Sequence, residues 1–594
     1  MPKRHVMEPL LILLLLPVVV SAILLLIPSE RMQYVLSAGL LAVLSATALS
    51  LYMTPGILSF GLGHTFEWMI VVADVALLLY FVYQGLKFDA RRVTLLAVVQ
   101  LLLYGWAESV VPEASAAAVI VDDLSKFMFL IINVVGGIIV FYAVKYMSYE
   151  EAGAFKKRLF VAYLMLFLSV MNAIVVVNSV LLFFFLFEMT TLASYLLIAF
   201  RNDTLSRANA LKALWMNQVG GVVILLGALV AIGGFETVMF SDLLSDSGGM
   251  LLLAVALLSM AALVKGASIP FDGWLLGAMV APTPVSAMLH SAAMVKIAPF
   301  LILKLAPLLG ATLLGGILSI TGALVFVAAS YLALSRSAFK EILGYSTIAL
   351  LGLMMSLAAI GTEESMMLAQ VLILFHALSK ALLFLTAGVL EKVYHVKEID
   401  AMKGLVHRAP KSVGYVMFGF VSLTLPPFGL FMGKLFAIAS VASLLDRQPW
   451  LIVMLLGLIV GSTLLVLLYF KVASALLSKP SDVFRSEGEA MDAGFGVPLM
   501  LLSALTVLTG IGFIMIQNDA LLSLFVLPLL FIVSLPWLVR SMERFDRIQT
   551  YHCGEKEAFD AAIFYFEPSA ALKRSIYWGF GALFAAVALG GVLS

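Results

Sequence analysis

Eight side chains able to take up and release a proton lie in stretches that are otherwise apolar: Glu188, Lys212, Lys265, His290, Lys296, His376, Lys380 and Lys434. Glu188 follows an aromatic run in FFFLFEMTTLASY, and Lys212 stands in ALKALWMNQ. Lys265 opens KGASIPFDGWLLGAMVAPTPVSAMLHSAAMVK, which also carries His290 and ends on Lys296. His376 and Lys380 share FHALSKALLF, and Lys434 ends LPPFGLFMGK. A charge at the centre of a membrane-spanning helix costs about 2.5–3.5 kcal/mol on insertion scales, and such groups face a bundle interior or water and mark ion paths. Burial and neighbouring cations both disfavour a charged ammonium. A buried lysine can therefore exchange protons, which arginine cannot do. Every cation at a span centre here is Lys or His, while Arg sits almost wholly in loops. The chemistry this set supports is a proton relay.

Each residue also has a plainer reading. Lys212 stands near a helix end and could simply snorkel to the interface, as Lys304 is expected to do. A single histidine such as His290 reads equally as a hydrogen-bonded packing residue, and Glu188 as a fixed counter-ion. His376 and Lys380 are four apart and share one helix face, which favours a joint role. Asp74 has no surrounding motif and is assigned none.

The elements that position these residues are transmembrane helices. Of 594 residues, 63% are hydrophobic and 12% charged, against about 25% charged in a soluble domain. The apolar runs are about 18 to 28 residues long, enough for an α-helix to cross about 30 Å of hydrocarbon. Alternating ten-residue patterns are absent, which excludes a β-barrel. The expected fold is an all-α polytopic membrane protein of about 18 helices, the last four centred near residues 461, 505, 530 and 584. The first helix follows Lys3 and Arg4 but is too long and lacks the cleavage site of a secretory signal, so it reads as a retained span.

Loop charges alternate. One set of loops carries Arg31, Lys87, Arg91, Arg92, Lys156, Lys157, Arg158, Arg201, Arg207, Arg336, Lys340, Lys397, Lys403, Arg408, Lys411, Lys479, Arg485 and the region from Arg540 to Arg574. The other carries Glu113, Asp242, Asp246, Glu363, Glu364 and Asp519, with Arg447 as the basic exception. Basic loops face the cytoplasm, so both termini are expected outside a cytoplasmic membrane, with Lys3 and Arg4 disagreeing. The segment 541–572 mixes charges and aromatics and reads as an ordered cytoplasmic loop that docks on something, or as a plain solvated loop.

Cys553 is the single cysteine, so no internal disulfide can form, and no Cys/His cluster has iron-sulfur, zinc or haem spacing. No phosphate-binding loop or nucleophile motif is present, which argues against ATP-driven pumping by this chain. Pro270 after Lys265, and Pro426 and Pro427 before Lys434, mark two interrupted helices. Paired broken helices point to an inverted-repeat transporter core, and irregular backbone at that depth needs protein or water around it.

The run KGASIPFDGWL, then APTPVSAMLH, GYSTI at 344–348 and the segment from His376 to Phe384 resemble the antiporter-like membrane subunits. These are shared by respiratory complex I, energy-converting membrane-bound hydrogenases and Mrp-type sodium/proton antiporters. The likeness covers roughly residues 120–475. It implies two inverted five-helix repeats, each with a broken helix, and a polar axis along the membrane midplane. It also implies that Glu188 and Lys265 form a carboxylate–lysine switch, that Lys296 connects the halves, and that His290, His376 and Lys380 relay. Lys434 would open the second half to the outside. The chain departs from the family pattern at Gly221, where an acid is common, at Leu372, where a second histidine is common, and at Leu276-Gly277, where Pro-Asp is common. The WLLGAMV form and the YHCGE segment are most like the energy-converting hydrogenase branch.

The resulting expectation is an N-terminal helical region (1–120), an ion-translocating core (121–475) and C-terminal helices (476–594). Together they form a proton-translocating subunit of a redox-driven pump of hydrogenase or complex I type in a prokaryotic cell membrane. Iron-sulfur, nickel-iron or flavin centres are expected in partner subunits, which include other membrane subunits and a peripheral electron-transfer arm. No nucleic-acid partner is expected. Sodium is the alternative ion, but it wants several oxygen ligands together, and the spans show no carboxylate cluster. The rival readings are a subunit of an Mrp-type antiporter without a redox partner, and a membrane anchor that no longer conducts.

Overall fold

The computed structural model describes all residues except 1, 62, 113–116, 246–250, 427, 479–490, 517–566 and 594. Outside the described residues therefore lie the span expected near 530, nearly all of the 541–572 segment with Cys553, and Pro427. Glu113, Asp246, Lys479, Arg485, Asp519 and Arg540 lie there too.

Apolar sequence in a membrane leaves the backbone no partner but itself, so the chain folds into helices. Sixteen described helices are long and apolar enough to cross a membrane, and Leu251–Lys265 is a shorter apolar helix. The protein is an all-α polytopic membrane protein. The exception to helix is small: strands Leu58–Phe60 and Val119–Val121 pair antiparallel, with Leu58 opposite Val121.

The central helices fall into two sets of five. The first is Ala154–Ile174, Val180–Ile198, Thr204–Phe235, the broken pair Leu251–Lys265 and Asp272–Gly277, and the stretch from Thr283 to Leu309. The second is Leu313–Leu334, Phe339–Ile360, Glu363–Val393, the broken pair Pro410–Thr424 and Gly429–Ser443, and Leu451–Leu477. The fourth helix is interrupted in both. An odd number of crossings turns the second set upside down relative to the first, which is how inverted repeats arise.

Local chemistry starts these helices where the site needs them. Thr362 and Ser365 make a reciprocal capping box of 3.1 and 3.2 Å at the start of the helix that carries His376 and Lys380. The Asp203 side chain accepts from the Ser206 N–H at 2.6 Å and begins Thr204–Phe235. Phe339–Ile360 is buried along nearly its whole length, where Gly322 and Gly352 let its backbone touch that of Leu313–Leu334. The helices before residue 110 lie at the periphery, with Leu15, Val19, Leu102 and Trp106 exposed as on a lipid-facing surface. Helix Pro2–Leu26 is tied to the first set, because Ser169 and Asn172 donate to the carbonyls of Leu14 and Leu13 at 2.7 and 3.0 Å.

Candidate functional site: a buried polar axis

In the first set, Val180–Ile198 presents Phe183, Phe184, Phe187 and Glu188 to the bundle interior, all fully buried. Lys265, the last residue of Leu251–Lys265, is also fully buried. Its Nζ donates to the Phe187 carbonyl at 3.1 Å and to Thr191 Oγ1 at 3.0 Å, and lies 3.8 Å from the centre of the Phe187 ring. The carbonyl oxygen, the threonine hydroxyl and the aromatic face stabilise a cation there. Glu188 and Lys265 are neighbours rather than an ion pair. Glu188 Oε1 instead accepts from Gln100 Nε2 at 2.9 Å, and Oε2 has no protein partner.

Gln100 comes from helix Arg91–Val110, outside the two sets of five. Its amide also donates to the Gln218 carbonyl at 2.9 Å. This explains the departure at Gly221: a Cβ there would collide with Glu188 Oε1 and Gln100 Nε2. The space that a side chain at 221 would need is filled by an amide reaching in from a peripheral helix.

The segment from Thr283 to Leu309 is not one regular helix. A π turn, Met288–Ala292, holds His290, and a 3₁₀ turn, Met294–Lys296, holds Lys296, with Ala293 between them at φ −124 and ψ −98. Residues six apart on a regular α-helix point about 120° apart, and the irregular turns bring both side chains into the fully buried interior. Such π turns recur at functional sites.

At this point the two sets join. Lys296 Nζ lies 2.5 Å from His376 Nδ1, so either nitrogen can donate according to which holds the proton. His290 stacks on Phe384 with ring centres 4.7 Å apart, and neither of its nitrogens has a protein partner. Four residues beyond His376, Lys380 Nζ donates to the Leu343 carbonyl at 3.1 Å and to Ser346 Oγ. The next step reaches the second break. Ser422 Oγ donates to Ser379 Oγ at 2.7 Å, and Lys434 Nζ donates to the Leu423 carbonyl at 3.2 Å, just before the interruption between Thr424 and Gly429. None of His290, Lys296, His376, Lys380 or Lys434 pairs with a carboxylate among the described residues.

Lys212 stands apart from this line. It lines a cavity of about 590 Å³ together with Arg201, Asp272, Lys340 and Tyr577, beside the C-terminal end of Val180–Ile198. Ser179, Leu181 and Leu182, at the other end of that helix, line a second cavity of about 500 Å³ with Glu67, Tyr104 and Glu108. A helix of this length rises about 1.5 Å per residue, so the two vestibules open on opposite faces. Lys212 is thus a vestibule residue. Lys304 donates to the Val177 carbonyl at 2.7 Å near a helix end, which fits its expected place at the interface.

Several contributors carried no sequence signal. Thr191, Ser346, Ser379 and Ser422 are common helix residues, and nothing but the fold distinguishes them. Two other buried lysines serve the scaffold: Lys126 donates to the carbonyls of Thr54 and Gly56 at 2.8 and 2.7 Å, and Lys471 to those of Leu334 and Arg336 at 2.6 and 2.9 Å. At the basic face, Glu150 holds Arg201 at 2.9 Å and Lys392 at 2.6 Å. Burial pushes the Glu150 carboxyl up, but hydrogen bonds and charge from Arg201 and Lys392 outweigh it and hold the group below the usual carboxylate range.

Residues 177–465 match the family described as NADH:quinone oxidoreductase/Mrp antiporter, TM. The chain is 31% identical over 330 residues to a Staphylococcus epidermidis protein named "Putative antiporter subunit mnhA2", covering 52% of this chain and 41% of that protein. A Staphylococcus haemolyticus protein of the same name is 31% identical over 353 residues, covering 55% and 44%. The chain thus spans less than half the length of these relatives. Among solved structures, it is similar in fold to a chain of the membrane-bound sulfane sulfur reductase, an archaeal respiratory membrane complex. The TM-score is 0.67 at 16% identity, over 86% of this chain and 95% of that one.

Proposed function

Because the core of this chain belongs to the antiporter-like membrane-subunit family, we propose that it is the proton-translocating subunit of a multisubunit, redox-driven membrane complex. The observation that carries this reading is the Lys296–His376 contact of 2.5 Å. It joins the two sets of helices through two fully buried bases, neither of which is neutralised by a carboxylate. Two adjacent bases of this kind do not comfortably hold two positive charges, so one proton on the pair excludes a second. A proton arriving from Lys265 displaces one toward Lys380, Ser379 and Ser422, and so to Lys434. Glu188 compensates the charge on Lys265 when the two approach, which gives a driver in a partner subunit something to act on.

The fold likeness to a chain of a respiratory membrane complex over most of both chains favours the redox-driven reading. Partners are then other membrane subunits and a peripheral electron-transfer arm that carries the iron-sulfur, nickel-iron or flavin centres. The setting is a prokaryotic cell membrane, with the basic vestibule facing the cytoplasm and the energy-converting hydrogenase branch as the proposed subfamily. The Staphylococcus relatives favour a second reading, a sodium/proton antiporter subunit without a redox partner. Mass spectrometry of the intact purified complex separates the two. Copurifying subunits with metal or flavin sites support the redox reading. A complex of membrane subunits alone, with sodium efflux restored in an antiporter-deficient cell, would replace it by the second.

A further inference from the structure

Asp74 is fully buried in helix His64–Lys87, and neither of its carboxyl oxygens has a protein partner. A buried polar group without a partner is rare and calls for a physical reason. Its neighbourhood supplies one. On helix Arg91–Val110, Gln100, Tyr104 and Glu108 follow at steps of four and so share one face. On His64–Lys87, Glu67 and Asp74 are seven apart and also share a face. The two helices run antiparallel, so Glu67 and Glu108 lie at one membrane face. Tyr104 lies about 6 Å deeper, Asp74 about 10 Å and Gln100 about 12 Å, at 1.5 Å per residue.

Exposure falls along the same line. Glu67 is exposed, Glu108 half-buried, and Tyr104, Asp74 and Gln100 are buried. Glu67, Tyr104 and Glu108 line the cavity of about 500 Å³ at the acidic face. The Tyr104 hydroxyl faces the Glu108 carboxyl and is in electrostatic range of Asp74, and Asp74 is in range of Glu188. Glu188 stands eight residues from the start of Val180–Ile198 at this same face, hence about 12 Å deep, level with the Gln100 that holds it.

We propose that these peripheral helices form a proton-conducting branch from the acidic-face vestibule to Glu188, running through Glu108, Tyr104 and Asp74. Glu108 passes a proton to the Tyr104 oxygen as the phenol hydrogen moves to Asp74, so Tyr104 ends neutral and unchanged. From Asp74 the proton moves to Glu188 Oε2 through bridging water, which would satisfy the open oxygens on both sides. Gln100 carries no proton and is a positioning residue: its amide fixes Oε1 and leaves Oε2 turned to receive. The branch gives the first set of helices its own aqueous connection at the face opposite the Lys212 vestibule.

The inference rests on the proton-translocating reading, and its test separates the two. In the purified complex reconstituted in vesicles, Asp74→Asn should lower proton translocation at least about tenfold with the complex still assembled on a native gel. Asp74→Glu, which keeps the carboxyl, should restore most of it. Independently, with Cys553 replaced by serine, Val111→Cys, at a residue that lines the same vestibule without being part of the path, should lose translocation on treatment with a membrane-impermeant thiol reagent at the acidic face and keep it when treated at the basic face. Full translocation in Asp74→Asn, with Lys265→Ala inactive, would overturn the branch and leave the core reading standing. Full translocation in Lys265→Ala as well would overturn both. A loss in Asp74→Asn that Asp74→Glu does not rescue, with no block of the Val111→Cys protein, would mark Asp74 as structural and also overturn the branch.

Discussion

The two five-helix sets share a scaffold and differ in chemistry. Each interrupts its fourth helix and places a buried lysine at the break, Lys265 in the first and Lys434 in the second. Beside Lys265 stands a carboxylate, Glu188, held through one oxygen by an amide from outside the set and with its other oxygen open. Lys434 makes no ion pair among the described residues; it donates to the Leu423 carbonyl, next in sequence to the Ser422 that bonds Ser379. A cation in the first half can be neutralised on site. In the second it is met only by dipoles, which stabilise charge more weakly than an opposite charge does. The difference teaches that inversion supplied the backbone twice while charge compensation was built once, which is what a device with a driven end and a delivering end requires.

On that asymmetry, the largest loss belongs to the first half. Lys265→Ala and Glu188→Gln should each lower redox-coupled or gradient-coupled proton uptake in vesicles by about 100-fold or more. The double variant should lose little beyond either single one, since residues acting as a unit are non-additive. Additive losses would break the switch pairing. Removing the second-half cation, Lys434→Ala, should cost roughly tenfold, less because water can take the place of its ammonium beside the interrupted helix. Equal losses in the two halves would erase the contrast.

Smaller effects sharpen it. Gly221→Ala pushes a methyl into Glu188 and Gln100 and should lower thermal stability of the assembled complex by about 1–3 kcal/mol, read by melting in detergent. Ser422→Ala removes a hydroxyl contact in the second half and should cost only about 0.5–1.5 kcal/mol. Smallest of all is a pH effect at the basic face. The Glu150 carboxyl is held below its unfolded value. Its contribution is therefore present above the unfolded pKa and lost as pH falls through the folded one. A stability decrease on acidification that Glu150→Gln diminishes is the expected result, and an identical acid profile in that variant would remove Glu150 from the account.

Much of this was legible in the residues. The helix-facing pair His376 and Lys380, the prolines at 270 and 426, and the restriction of mid-span cations to Lys and His follow from spacing and the high cost of buried charge. That the mid-span set holds one carboxylate, Glu188, against several lysines could also be read. The geometry that joins the parts was not legible. Hydropathy averages over a window and cannot show that Met288–Ala292 is a π turn, so the direction of His290 and Lys296 was out of reach. Gln100 lies outside the stretch of family resemblance, and an amide in an apolar helix is ordinary until its partner is known. In sequence, Gly221 is only a departure from the family pattern, whereas packing shows that the space for a side chain there is already occupied. Lys126 and Lys471 look like relay lysines by type, and only their carbonyl partners reveal them as clamps.

The link between the halves is the point on which everything else depends, and Lys296→Leu tests it most directly. In the purified complex reconstituted in vesicles, with proton uptake and assembly measured on the same preparation, the expected result is an assembled complex whose uptake is abolished, because His376 has lost the neighbour 2.5 Å away that delivers its proton. Uptake at the unaltered rate would contradict a continuous path through Lys296 and His376.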